Sequence, residues 1–315
     1  MQLHKAKPAK KKSDRTGSMT ARGVATVRLL ESSRQEGERA FYDPYAAWFV
    51  PPALLERLWD GGKTALEKER ARSEKKFPGH RDSIISRIRF FDDQVSRELS
   101  LGVQQIAILG AGYDTRAYRI PGIESVRIFE LDLPSTQATK NEKVLEFLGA
   151  LPDHVTYVPV DLSKSGLSEA LSRAGFNWEC RTLFTMEGLL YYLPPEKVQE
   201  ILSAIATRAA PGSVILFDHF PRFMVEGENP HPLVQRFRNH VSGVGEPLLF
   251  GMPEEGVNAF LEQLGYTNVT DIPASAFARN VLGRTQDFRG VLSFARAEVP
   301  ARQEEGRLPK SQVIL

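Results

Sequence analysis

The sequence predicts an α/β protein built on a mostly parallel sheet with helices on both faces, and three observations carry that expectation. Short runs of β-forming residues alternate with helical stretches from Gln104 onward. Several of these runs are apolar throughout, as strands covered on both faces must be. Ahead of the first run, Ile84, Ile88, Phe91, Val95 and Leu99 form a single apolar stripe at helical spacing.

In chain order, the predicted strands are Gln104 to Leu109, Val126 to Glu130, Val155 to Val160, Thr182 to Met186 and Val214 to Phe217. Two weaker runs follow, Asn268 to Ile272 and Val291 to Ala295. Parallel neighbours require right-handed crossovers, and the intervening segments are long enough to supply them. The helix before the first strand is expected from about Asp82 to Leu99. On it, Arg87 falls at the border of the apolar stripe, so it needs an anionic partner unless it snorkels to the surface. Pro253, Glu254 and Glu255 suit a first helical turn, with Gly265 as the stop. Two additions interrupt the pattern: residues 23–79, broken at Asp43-Pro44 and Pro51-Pro52, and residues 220–250, which hold Pro221, Pro230, Pro232 and Pro247. Connections this long in a compact sheet are usually lids or binding insertions. Both are expected over the carboxyl ends of the strands, where open α/β sheets take their ligands.

Composition sets the outer bounds. At 315 residues, 42% hydrophobic and 25% charged, the chain is not disordered throughout and can bury a sizeable core. Its one cysteine, Cys180, excludes an intramolecular disulfide and any multi-cysteine metal site. No run approaches the roughly 18 apolar residues of a membrane helix. Nor is there an N-terminal apolar segment of the signal-peptide kind, and the expectation is a cytoplasmic protein. The net charge of +2 hides an asymmetry, because residues 1–18 carry six bases and one acid while the remainder is slightly acidic. The expected organisation is therefore a disordered basic arm (1–18), one domain (19–300) and a flexible tail (301–315). The arm reads as solvated and dispensable, with a nucleic-acid or anionic-surface contact as the alternative.

Chemistry concentrates at the predicted strand ends. Gly110-Ala111-Gly112 follows the first strand directly, and about twenty residues later the second ends in Glu130-Leu131-Asp132, where an acid accepts hydrogen bonds from ribose hydroxyls. A dinucleotide fingerprint would place a third glycine at the position of Thr115. Asp114 in the same loop, Asp161 after the third strand and Glu187 after the fourth make the whole edge acidic. That favours a ligand carrying positive charge over a pyrophosphate, so an NAD(P)-dependent oxidoreductase becomes the rival reading.

Four ordered motifs carry a resemblance. Residues Gln105 to Arg119 (QIAILGAGYDTRAYR), Phe129 to Pro134 (FELDLP), Met186 to Glu196 (MEGLLYYLPPE) and Ser86 to Asp93 (SRIRFFDD), with the Asp43-Pro44-Tyr45 turn, are similar to the leucine carboxyl methyltransferase family over about residues 20–297. Within it, the sequence most resembles the bacterial branch that includes polyketide carboxyl O-methyltransferases. The resemblance implies a class I methyltransferase fold, a Rossmann-like seven-stranded sheet with strand seven antiparallel, and S-adenosylmethionine as methyl donor. It further implies that Arg87 pairs with the cofactor's carboxylate and that Gly110, Ala111 and Gly112 form the floor. By the same resemblance Asp132 takes the ribose, Asp161 with Leu162 holds the adenine edge, and Glu187 lies near the amino group. A basic residue of the N-terminal segment joins the site in some members, and Arg22 is the candidate here.

Transfer from a sulfonium is an in-line displacement that needs alignment and desolvation more than a covalent catalyst. A carboxylate acceptor is already ionised at neutral pH and needs no base. The expected reaction is therefore metal-free methyl-ester formation on a small molecule, with Tyr192 and Arg116 as candidates to orient the acceptor. His219, after the fifth strand, is the candidate base for a hydroxyl acceptor. A cofactor-binding protein without catalysis, docking through its basic arm, is the remaining alternative.

Overall fold

The computed structural model describes residues 18–226, 232–243, 245–283 and 292–301. The arm, apart from Ser18, and the tail, apart from Ala301, lie outside the described residues. The strands are β1 (Gln105–Leu109), β2 (Arg127–Asp132), β3 (Val155–Pro159), β4 (Thr182–Met186), β5 (Val214–His219), β6 (Thr267–Pro273) and β7 (Ser293–Glu298). They form one sheet in the order β3-β2-β1-β4-β5-β7-β6. The first five are parallel, and β7 runs antiparallel between β5 and β6. This is the predicted class I architecture, with the chain reversal on either side of β1 that opens a crevice at the carboxyl ends.

Four helices precede the sheet: α1 (Met19–Ser32), α2 (Pro52–Asp60), α3 (Gly62–Lys76) and α4 (His80–Ser100). Between and after the strands come α5 (Arg116–Arg119), α6 (Pro134–Leu148), α7 (Leu167–Arg173), α8 (Pro195–Arg208), α9 (Phe223–Glu226), α10 (Pro232–Gly243), α11 (Gly256–Gln263) and α12 (Ala274–Leu282). Proline at the first helical position starts α2, α6 and α8, where its missing N–H costs nothing. Pro253 to Glu255 do not open α11: they form the turn before it, because Gly256 sits at φ +85° and the helix begins there.

Alternation along the buried strands divides the core. Ile106 and Ile108 of β1 join Phe90, Phe91 and Val95 of α4 and Phe277 of α12 on one face. Ala107 and Leu109 meet Leu167 and Leu171 of α7, Val198 to Ile205 of α8 and Leu261 of α11 on the other. β1, β4 and β5 are buried at every position, whereas the edge strand β6 is mostly exposed and carries a register shift between Thr267 and Thr270. Its polar, irregular sequence is why it reads weakly. The helical N-terminal addition packs through a separate cluster of Ala25, Leu29, Phe49 and Leu58 with Tyr113 of the glycine loop, whose ring stacks on Phe49 at 4.7 Å. Ser18, at the end of the arm, caps α1 through Ala21 N at 3.1 Å. No helix among the described residues is long and apolar enough to cross a membrane.

Candidate active site

A cavity of about 1240 Å³ opens over the carboxyl ends of β1 to β5. Its floor comprises Gly110 to Asp114 after β1, Asp132 and Leu133 at β2, Val160 to Lys164 after β3 and Glu187 to Leu189 after β4. The N-terminal addition supplies one wall, including Val24, Val27 and Arg28 of α1. The segment after β5 supplies another, with Phe220, Phe237, His240 and Glu246.

The glycine loop turns because Gly110 and Gly112 take φ +67° and +44°, a region that costs other L-residues about 1–2 kcal/mol. Glycine at position 110 also serves packing, since a Cβ there would stand 2.9 Å from Leu189 Cδ1. Asp132 accepts from Gly112 N at 2.6 Å and Leu133 N at 2.7 Å, which fixes its carboxylate against the loop. Burial raises its pKa, opposed by those two N–H donors. Asp161 accepts from Ser163 N and Oγ and pairs with Lys164 Nζ at 3.0 Å. The Ser163 hydroxyl leads in holding its carboxyl below the usual range.

Arg87 is buried, not snorkelling. Its Nε donates to Glu187 Oε1 at 2.9 Å, and its Nη1 donates to Asp218 Oδ2 and Tyr191 Oη, both at 3.0 Å. The anionic partners demanded by its helical position thus come from the protein itself. Its Nη2 bonds no described residue. Asp218 is a residue the sequence reading missed: fully buried, it also accepts from Gly188 N at 2.6 Å. The signal was available, because the pairing of Met186 with Phe217 sets Glu187 and Asp218 side by side at the ends of adjacent strands.

Arg116 is equally committed. It donates to Asp92 Oδ1 at 2.7 Å, Asp114 Oδ2 at 2.7 Å, Glu187 Oε2 at 2.6 Å and Ile88 O at 3.2 Å. The Asp114 pair is local but buried. Burial alone would raise the Asp114 carboxyl, yet Arg116 and Lys140 hold it well below the carboxylate range. Asp92 of α4 also takes a bidentate pair from Arg119, both bonds at 2.7 Å. Asp43, from the Asp-Pro-Tyr turn, accepts from Thr115 Oγ1 at 2.7 Å and pairs with Arg28 at 3.0 Å. The Asp43 turn and the motifs at Ser86 to Asp93, Gln105 to Arg119 and Met186 to Glu196 therefore each contribute a member to one continuous buried network, while the Phe129 to Pro134 motif meets the glycine loop through Asp132. Thr115, where a dinucleotide fold would have glycine, is one of its fasteners.

Arg22 is not on the cavity wall, but Arg28 is. Arg28 donates to Thr115 Oγ1 at 2.9 Å and Tyr113 O at 2.6 Å, and its Nε is buried without a hydrogen-bond partner. Burial lowers its pKa, against the pull of Asp43. Its signal was positional: Arg28 stands three residues after Ala25 and four before Ser32, on the buried face of α1. Tyr192 lines the cavity, and burial followed by Glu246 raises its hydroxyl pKa. His219 does not line it; its Nε2 lies 3.1 Å from Asp271 Oδ1 on β6. The histidines on the cavity wall among the described residues are His80 and His240, which the sequence reading missed. Burial, then Arg87, His240 and Lys76, push the His80 pKa from 6.5 down to about 4.

The depressed His80 has a consequence for stability. Between pH 6.5 and about 4 the unfolded chain binds a proton here that the folded chain refuses, so this contribution is complete above pH 6.5 and lost as pH falls toward 4. Denaturant unfolding at pH 7 and pH 5 should show a smaller acid loss for His80→Gln than for the wild type. Equal losses would place the imidazole in a solvated setting.

Residues 21–206 match the family model described as leucine carboxyl methyltransferase. The chain belongs to the leucine carboxyl methyltransferase family. A Frankia alni protein named as an S-adenosyl-L-methionine-dependent methyltransferase is 35% identical over 243 residues, 76% of this chain and 82% of that relative. A Mycolicibacterium gilvum protein with the same description is 34% identical over 235 residues, 73% and 75% of the two chains. Among solved structures, a methyltransferase from Thermobifida fusca matches with a TM-score of 0.55 at 16% identity, covering 80% of this chain and 99% of that one, which bears on the fold alone. This family member is an S-adenosylmethionine-dependent methyltransferase, and the nicotinamide alternative falls. Its cavity fits the cofactor chemically. Asp132 and Glu187 present carboxylates, Arg87 Nη2 and Arg28 Nε are donors without partners among the described residues, and the glycine loop brings backbone to the floor.

Proposed function

We propose that the protein methylates a carboxylate of a small molecule, forming a methyl ester without a metal. Bound in the cradle, S-adenosylmethionine would supply an electrophilic methyl group on a sulfonium. Arg87 Nη2 and Arg28 would meet its carboxylate, Glu187 its amino group, Asp132 its ribose, and Asp161 with Leu162 its adenine edge. The acceptor would enter the part of the cavity walled by α1, the α3–α4 junction and the segment after β5.

The observation that carries the reading is where the histidines stand. A hydroxyl acceptor is served best by a base whose pKa lies near the working pH. His219 is off the cavity and engaged with Asp271, while on the wall His80 is held at about 4 and His240, with Lys76 Nζ 3.4 Å from its Nε2, is lowered by burial and then by Lys76 and Arg236. The strand-end acids are tied to N–H groups and arginines. A carboxylate acceptor asks for none of these as a base. Arg116, a sequence candidate for orienting it, has its donors committed within the buried network, which leaves Tyr192 and the wall residues for that role.

The test uses radiolabelled donor and a set of small organic acids. Label should be released as methanol by mild alkali, chelator should leave the rate unchanged, and His219→Ala should retain most activity. Alkali-stable label with a large loss in His80→Gln or His219→Ala would replace this reading with base-assisted hydroxyl methylation.

A further inference from the structure

At the mouth of the cavity, the end of α3 and the middle of α10 bring basic and aromatic side chains together. Lys76 Nζ lies 3.4 Å from His240 Nε2, an ammonium facing an imidazole. Around the Phe77 ring stand Lys76 Nζ at 5.3 Å, the Arg236 guanidinium at 5.3 Å and the His240 ring at 5.3 Å. Among the described residues, no carboxylate pairs with Lys76, Arg236 or His240. The ammonium and the guanidinium both face the Phe77 ring, and with no described acid paired to either they offer donors to an anion that joins them.

The same place is walled by flat rings. Phe237 crosses Phe77 edge-on at 6.2 Å, His80 lies 5.3 Å from Phe237, and Phe220 lies 5.9 Å from Phe237. Phe77, Phe220, Phe237, Lys76 and His240 all line the cavity continuously with the strand ends. Aromatic walls favour a planar partner through offset and edge contacts, and exposed ammonium and imidazole groups favour one with negative charge.

We propose that Lys76 and His240 beside Phe77, with Arg236 over the same ring but off the cavity lining, form an anion-recognising subsite at the cavity mouth that draws in a planar apolar anion as the methyl acceptor. The assignment rests on the reading of this cavity as the place where an anionic acceptor meets the cofactor. Lys76 and His240 take the anionic group, directly or as it passes inward, and the phenylalanine rings take the hydrocarbon. The field at the mouth also raises the encounter rate in a salt-dependent way.

The experiment titrates full-length protein, preloaded with S-adenosylhomocysteine, with the fluorescent planar anion anilinonaphthalene sulfonate. Its uncharged twin, phenylnaphthylamine, is the control. The anion should bind more tightly than the twin, and the difference should shrink at high salt. Lys76→Gln and His240→Gln should each weaken the anion roughly three- to tenfold, the range for one ordinary hydrogen bond made in competition with water, and leave the twin unchanged. Lys75→Gln, one residue away and off the cavity wall, should change nothing. These side chains are exposed, so the variants keep the fold. Equal binding of anion and twin, or variants that bind the anion like wild type, overturns the subsite while ester formation stands. A variant-sensitive anion site in a protein that forms no alkali-labile ester upholds the subsite and removes the carboxylate reading.

Discussion

Asp92→Ala is expected to be among the most destabilising single substitutions in the molecule, by about 3–5 kcal/mol, the range for removing one partner of a buried ion pair. Asp92 is buried on α4 and takes three charge-assisted bonds, one from Arg116 and two from Arg119. Both guanidinium groups are 5% exposed. Without Asp92, Arg119 keeps Thr115 and a distant Asp43 at 3.9 Å, and Arg116 keeps Asp114 and Glu187. Neither arginine can shed its proton, so the charge stays buried and under-compensated. Urea unfolding should give a midpoint shift of that size with an unchanged slope. A shift under 1 kcal/mol would mean that water reaches the network.

Loss of cofactor affinity is the second large effect. Arg87→Ala and Asp132→Ala should each weaken S-adenosylhomocysteine binding by about 1.5–3 kcal/mol, the range for a hydrogen bond to a charged group. The two differ in what else they break. Asp132 sits at the cavity edge with two backbone donors, and its removal leaves N–H groups that water can satisfy. Arg87 holds Glu187, Asp218 and Tyr191, so its removal leaves the fully buried Asp218 to Tyr191 Oη and Gly188 N. Arg87→Ala should therefore lose stability as well as affinity, and Asp132→Ala mainly affinity. Calorimetric binding beside thermal unfolding separates them; equal melting temperatures for the two variants would contradict the buried network.

Much of the fold was legible because the central strands are apolar runs ending in glycine or acid. β1, β3 and β4 fall within a residue of the predicted bounds, and β5 extends two further. The stripe on α4 gave its buried face and set Arg87 at its border, and the fold decides that Arg87 is buried and not snorkelling. What the sequence did not disclose was pairing across long separations. Asp92 and Asp43 read as ordinary acids until the fold sets them against Arg116, Arg119 and Arg28. His219 read as a site residue because strand ends carry function, but its partner Asp271 comes from β6, beyond the reversed β7, on the side away from the cavity wall. Arg28 was passed over as one arginine among several on a helical segment, and His80 because it opens the polar run His80 to Ser83 at the start of α4; only the assembled cavity distinguishes them.

The most direct test of the central claim is calorimetric titration of the full-length protein with S-adenosylhomocysteine and, separately, with NADH. One site per chain with micromolar affinity for S-adenosylhomocysteine, lost in Asp132→Ala, and no heat with NADH are the expected results. Binding of NADH, or S-adenosylhomocysteine affinity that is indifferent to Asp132, would contradict the cradle assigned to this cavity.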